Sequence, residues 1–452
     1  MSVLDRKLRR ELFAHVWLLV AIAGIVLVGV ACFVAMGTAY NNLTRAKTDY
    51  YRQCRMADFS IELKKAPRVD LRAVAELPGV TEIRPRIQFY ATVDLEAAPE
   101  PLNALVLSMP DRREAVINDI VLRRGAYFSP GRGNKVIVNE AFAEAHGLAP
   151  GDWVKLLLNN RSQELYVVGT AISAEFVYML SPGTIMPDAE HFGVFFLKES
   201  YAEDVFDFDG AANQVLGRLA PGTAVSTEEI LDRAELLLAD CGVFTTTPLA
   251  DQLSNKYLSE EIEGLQTFAV FMPVVFLTVA ALVLNVLLTR LAEQQRTIVG
   301  TLKALGYSDW QVFLHFLKFG LAVGLAGGLA GCGLGYLLAE WMTWVYRFFF
   351  VFPALENHFY PGRMLAALAI SLGCALLGSL RGTRAVLRLQ PAEAMRPAPP
   401  KRGGRILLEQ VAFFWRRLGV GWRMVFRSLA RSRVRSIAGV FAAAMGAAVM
   451  TS

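Results

Sequence analysis

The chain has 452 residues, 54% of them hydrophobic, and a mean hydropathy of +0.37, more apolar than an ordinary soluble protein. A net charge of +5 raises the question of nucleic acid, but the basic residues flank apolar runs instead of forming one patch, which argues against that class. No GxxxxGK[ST], HExxH or GxSxG occurs; the nearest glycine-lysine stretch, PGRGNK, lacks the spacing and hydroxyl of a phosphate loop, so ATP binding and those hydrolytic chemistries are excluded for this chain alone.

In chain order, residues 1–11 form a basic N-terminus carrying Arg6, Lys7, Arg9 and Arg10, followed by an apolar run over 12–44. That run exceeds a signal-peptide core and lacks a small-x-small exit, so it reads as an uncleaved first span. Residues 45–264 read as one outward-facing α+β block. Within it VTEIRPRIQFYATVDL and NALVLSM have strand character, and VDLRAVAELPGV is a short helix ended by Pro78-Gly79. The stretch from Lys135 to Ala171 reads as strand, helix, turn and hairpin, with Gly147 ending the helix and Asn159-Asn160 reversing the hairpin. Ser226 and Glu229 form a capping box for another helix, and the segment from Leu249 is expected to run as a helix into the second span. Cys54 and Cys241 lie near the two roots of this block, which leaves a disulfide between them open.

The second span, 265–289, contains Pro273, expected to kink it, and Asn285, a polar residue suited to tying helices together. Residues 290–318 read as a cytoplasmic elbow: Gly306 closes one helix, and Ser308 with Gln311 caps the next. Its length exceeds what a simple chain reversal needs. The third span, 319–339, carries Gly320, Gly324, Gly327, Gly328, Gly331 and Gly335, whose four-residue steps make a face for close helix packing. Residues 340–363 form an outer loop dense in aromatics, among them Trp341, Trp344, Tyr346, Phe350, Phe352 and Phe359; interfacial anchoring is its simplest role, and a lateral gate for lipid-like cargo the sharper one. A fourth span covers 364–380, a basic cytoplasmic linker with an amphipathic helix covers 381–436, and 437–452 reads as the start of a fifth span, as in the first half of a longer protein.

Charge places the N-terminus and the 381–436 linker in the cytoplasm, with 45–264 outside. The four complete spans contain no Asp, Glu, Lys or Arg, which weighs against an ion or proton pathway and against an energy-independent carrier. The five histidines are scattered through segments of different kinds, so no metal site is expected. The fold class expected is a membrane α-helical bundle, four spans plus the start of a fifth, with a large inserted α+β extracytoplasmic domain.

Four stretches together resemble the FtsX-like permease family, of the MacB and LolC type. They are RTIVGTLKALGYSDWQV (296–312), LAGGLAGCGLGYLL (325–338), RLQPAEAMRP (388–397) and the external LRRGAYFSPGRGNKVIVNEAFAEAHGLAPGDWV. The resemblance implies a type VII ABC transporter in a bacterial inner membrane. In it a separate ATPase binds ATP and Mg, no cofactor binds this chain directly, and the outer domain moves to export or extract hydrophobic or peptide-like cargo. It further implies an ABC ATPase subunit, a second permease half or homodimer partner, a periplasmic adaptor and membrane lipids as partners. It points to Arg296, Lys303, Leu305, Gly306 and Tyr307 as the ATPase contact, and to Gly320, Gly324, Gly328, Gly331 and Gly335 as the helix-packing set. The alternative within the family is a signal transmitter that activates a cell-wall hydrolase; the roughly 220-residue external block, larger than in those relatives, favours the exporter. Lys318 and Phe319 depart from the family, whose members often carry a glutamate on entering span three.

Overall fold

The computed structural model describes residues 3–14, 16–95, 102–131, 133–181, 184, 186–387 and 419. The RLQPAEAMRP stretch, nearly all of the basic linker and the fifth apolar run lie outside the described residues. In chain order the elements are α1 (Val3–Ala14), α2 (Val16–Gln53), β1 (Phe59–Pro67), α3 (Arg68–Ala75), β2 (Val80–Arg86), β3 (Gln88–Asp94), β4 (Leu102–Met109), β5 (Ile120–Gly125), β6 (Lys135–Asn139) and α4 (Glu140–Ala145). There follow β7 (Trp153–Leu158), β8 (Arg161–Ser173), β9 (Phe192–Lys198), α5 (Glu199–Phe206), β10 (Ala211–Leu219), α6 (Thr227–Leu237), β11 (Val243–Pro248), α7 (Leu253–Gln294), α8 (Arg296–Ala304), α9 (Asp309–Phe349) and α10 (Pro361–Leu387). These fall into two compact units, one holding Tyr40–Gly264 with Met342–Asn357, the other Met1–Ala39, Leu265–Trp341 and the chain from His358.

The first unit contains two lobes. In the smaller, β1, α3 and β2 are followed, after a long insertion, by β10, α6 and β11, with sheet order β11-β1-β10-β2. That is the split βαβ arrangement of ferredoxin-like folds, with the larger lobe inserted between its second and third strands. Helices α3 and α6 bury Leu71, Val74, Ile230, Leu231 and Ala234 against Phe59, Ile61 and Val215, and α6 begins where the Ser226 hydroxyl accepts from the Glu229 amide.

In the larger lobe the sheet runs β5-β8-β6-β9-β4-β3-β7, and β8 also pairs with β7. Strand β8 pairs with β7 through Arg161–Tyr166 and with β6 from Tyr166 onward, so the sheet closes on itself and the strands of that ring have no open edge. The β7–β8 reversal places Asn159 at φ 46° and Asn160 at φ 59°, the pair of positive φ values that a two-residue hairpin turn of matching twist demands. Strands β4 and β9 are buried on both faces, with Phe195 and Leu197 in one core cluster and Phe196 and Val194 in another.

VTEIRPRIQFYATVDL is not one strand. It breaks at Ile87, β2 pairing in the small sheet and β3 in the large one. The Arg86 side chain, 1% exposed, sits at the break and donates from both terminal nitrogens to Glu175 (2.7 and 2.8 Å) and from Nε to Gln214 (2.7 Å). Arg84, which donates to the carbonyls of Ile117 and Ser108, has its pKa lowered to about 10 by burial and by the Arg86 guanidinium. Removing one partner of a buried ion pair strands the other charge, at a cost of about 3–5 kcal/mol. Glu175→Ala is therefore expected to lower the urea midpoint of the external unit, read by limited proteolysis of the full chain, far more than the paired Arg86→Met, Glu175→Leu replacement does. Cys54 and Cys241 are both free, and burial pushes the Cys54 thiol up to about 12.

The aromatic segment divides in two. Phe350, Phe352 and Leu355 are buried in the external unit, whereas Trp341, Trp344, Phe348 and Phe359 are exposed. The Val351 amide donates to Val177 O (2.8 Å), Phe350 packs on Tyr178, Phe352 meets Tyr50 edge-on, and the Tyr346 hydroxyl donates to Glu261. Interfacial anchoring remains available to the exposed set alone.

In the membrane unit, α2, α7, α9 and α10 are the helices among the described residues that are long and apolar enough to cross a bilayer. Helix α7 passes through Pro273 without interruption, and Asn285 donates to Gly378 O on α10 at 3.2 Å. Helices α2, α7 and α9 run to 38, 42 and 41 residues, well beyond the roughly 20 that a bilayer core needs. Each continues without a break past the division between the units.

Candidate functional site: the elbow and its supports

Three local devices build the elbow between α8 and α9. The first is a complete helix-ending motif: Gly306 N donates to Lys303 O (3.1 Å) and Tyr307 N to Leu302 O (3.1 Å), with Gly306 at φ 92°. The second is a reciprocal capping box, in which Ser308 N donates to Gln311 Oε1 (3.0 Å) and Gln311 N to Ser308 Oγ (3.3 Å). In the third, Tyr307 just before the cap packs with Val312, Phe316 and Val299, a hydrophobic staple that sets the angle at which α9 leaves. The Lys303 ammonium closes the elbow with an ion pair to Asp309 at 2.7 Å.

These contacts sort the five residues singled out from the sequence. Leu305 is 72% exposed and Gly306 lies open at the turn. Tyr307 faces inward and Arg296 is half-buried at the first position of α8. The Lys303 side chain, only 8% exposed, is committed to Asp309. Among the exposed residues that escaped the sequence reading are Ile298, Thr301 and Trp310. With Leu305, the first two share one helix face at i, i+3 and i+7. The alternation of Ile298 with buried Val299 was the available signal, and nine residues are too few to decide which face is free.

Behind the elbow is a polar cluster that no sequence pattern announced. Glu11 accepts from Gln295 Nε2 (2.8 Å), lies 3.4 Å from Lys7 Nζ, and meets His315 Nε2 at 3.3 Å. It thereby joins α1, the α7–α8 junction and α9. Burial alone would raise the Glu11 carboxyl; the His315 hydrogen bond and the Lys7 ammonium outweigh it and hold the group below its ordinary range. A carboxylate with a depressed folded pKa stabilises above its unfolded pKa, and that contribution fades as pH falls through the folded value. Wild type should accordingly exceed Glu11→Gln in thermal midpoint at pH 7, and the gap should narrow progressively as pH falls below the ordinary carboxylate range of about 4. A gap of the same size at every pH would assign the effect to packing.

The glycines of α9 form two faces. A Cβ built on Gly320, Gly324 or Gly328 would stand 2.8–3.0 Å from Ala375 or Ser371 of α10. One on Gly327, Gly331 or Gly335 would stand 2.7 Å from the Ala23 carbonyl, Val30 or Val34 of α2. Ser371 Oγ donates to Gly324 O at 2.7 Å, a bond that only so close an approach permits. Helix α9, rising from the elbow, is thus the element against which both α2 and α10 pack.

Two family models match the chain, the MacB-like periplasmic core domain over residues 18–234 and the FtsX-like permease C-terminal region over 270–391. The chain is an FtsX-like permease. Among solved structures, the periplasmic region of MacB from Actinobacillus actinomycetemcomitans is 10% identical, with 45% of this chain and 92% of that one covered and a TM-score of 0.27. The extracellular domain of the noncanonical ABC-type transporter YknZ from Gram-positive bacteria is 14% identical, with 40% and 93% covered and a TM-score of 0.27. No curated protein matches. The FtsX-like match contains the elbow and both glycine faces, and the MacB-like match contains both lobes up to α6. The molecule is therefore a multi-pass ABC transporter permease with an inserted MacB-like periplasmic domain.

Proposed function

We propose that this permease converts ATP hydrolysis by a separate ABC ATPase into movement of its periplasmic domain, driving export or extraction of hydrophobic or peptide-like cargo such as a lipid, lipoprotein, peptide or drug. It sits in the bacterial inner membrane with its N-terminus in the cytoplasm, pairs with a second permease half or second copy, and meets a periplasmic adaptor outside. ATP and Mg stay with the ATPase. The observation that carries this reading is the elbow. A short helix fixed at its C-terminal end by three local devices and an ion pair presents Ile298, Thr301 and Leu305 to solvent at the foot of a 41-residue helix. An apolar face on a rigid mount is what a partner needs in order to push.

The upper end of the same path is also attached. Within the external unit, Tyr346 near the end of α9 donates to Glu261, and Phe350 and Phe352 just beyond the helix pack on Tyr178 and Tyr50. The spans carry no charged residues, which favours mechanical work over conduction of a charged solute. The test is co-purification of the ATPase from native membranes with elbow variants; recovery of an adaptor or of a cell-wall hydrolase in the same experiment separates the exporter from the signal transmitter.

A further inference from the structure

The membrane unit holds an apolar groove of about 270 Å³ between α1, α2 and α9, lined by Leu12, Phe13, Val20, Ala322 and Ala326, with Arg9 at its polar end. The cations of α1 are not equivalent. Lys7 is consumed by Glu11 and Gln295, whereas Arg6, Arg9 and Arg10 are exposed. The groove thus joins an apolar trough, floored by alanines, to an exposed guanidinium on a basic helix. Water has no polar partners along such walls. A helix from another protein would need an acidic residue to meet Arg9. An amphiphile with an anionic headgroup satisfies both ends at once, and basic pockets beside membrane helices on the cytoplasmic side suit such headgroups. We propose that this groove holds an acyl chain of an anionic phospholipid of the cytoplasmic leaflet, its phosphate resting on Arg9. The site makes no use of the elbow and stands whether or not an ATPase docks there.

Native mass spectrometry of the full chain released from detergent tests it, with phosphatidylglycerol and phosphatidylethanolamine of identical acyl chains as probes. Wild type is expected to retain phosphatidylglycerol about fivefold more tightly, the value of one basic residue near an anionic surface. Arg9→Gln, on an exposed face, brings the ratio close to one. Ala326→Phe, which fills the trough, weakens both lipids by about tenfold, as losing two methylenes of burial would. Arg45→Gln, whose side chain pairs with Asp49 near the other end of α2, leaves the ratio unchanged. The proposal is overturned if Arg9→Gln keeps the wild-type ratio, if Ala326→Phe binds both lipids normally, or if Ala326→Cys crosslinks to a second copy in native membranes, which would put a protein helix in the groove.

Discussion

Leu305→Asp and Ile298→Asp each strip the ABC ATPase from the purified permease while membrane insertion and yield stay at wild-type levels. Leu305 is 72% and Ile298 47% exposed, so neither aspartate disturbs a core, and surface substitutions of this kind change stability by no more than about 0.5 kcal/mol. At a docked interface the same aspartate is buried without a partner. A loss of about 2 kcal/mol or more there lowers affinity at least about thirtyfold, enough to empty a pull-down. Gly306→Pro should give the same result by another route: its φ of 92° lies far from the roughly −65° of proline, and its amide hydrogen is bonded to Lys303 O. Lys303→Glu replaces the ion pair with two carboxylates facing each other across the turn. ATPase recovered at wild-type levels with all four variants would remove the elbow as the docking site. Loss with the two elbow-breaking variants alone would show that the turn matters and its exposed apolar face does not.

Gly331→Val is expected to lower the thermal midpoint of the detergent-solubilised permease, as are Gly327→Val and Gly335→Val on the same α2 face of α9. A Cβ on Gly331 would stand 2.7 Å from the Val30 Cβ and 2.8 Å from the Leu27 carbonyl, so backbone rather than a flexible side-chain end must yield. Overpacking of this kind costs about 1–3 kcal/mol even before the helices separate. Gly333 supplies the control, since nothing lies within 4 Å of its Cβ position. Gly333→Ala should leave the midpoint unchanged or raise it, because alanine is the better helix former by up to about 1 kcal/mol. Equal losses at Gly331 and Gly333 would mean that the glycines act through helix flexibility and not through close packing.

The sequence reading went furthest where a feature is local. The capping box at Ser308, the helix stop at Gly306 and the Asn159-Asn160 reversal each depend on residues within about five positions of one another, and each stands in the structure at those residues. The glycine steps of α9 were legible as a packing motif, yet their division into an α10 face and an α2 face was not. A three-residue offset between Gly324 and Gly327 rotates the second set around the helix, and only the neighbours show what each set meets. Lys303 illustrates the opposite limit. A lysine on a short surface helix reads as a free contact, and its burial on Asp309 depends on the angle of a turn.

By itself the sequence determined which four described stretches are helices apolar enough to cross a membrane, where charge sits relative to them, and how the elbow turns. All of these follow from hydrophobic length, charge bias and capping chemistry over short separations. Tertiary structure alone decided that β2 and β3 belong to different sheets, that Arg86 is neutralised by Glu175, that Glu11 meets His315, and that half of an aromatic loop is core. The physical reason is common to all four. Each is a pairing between residues from 89 to 304 positions apart, or a choice of face made only when another element arrives, and a linear pattern carries no record of which distant surface will exclude the water.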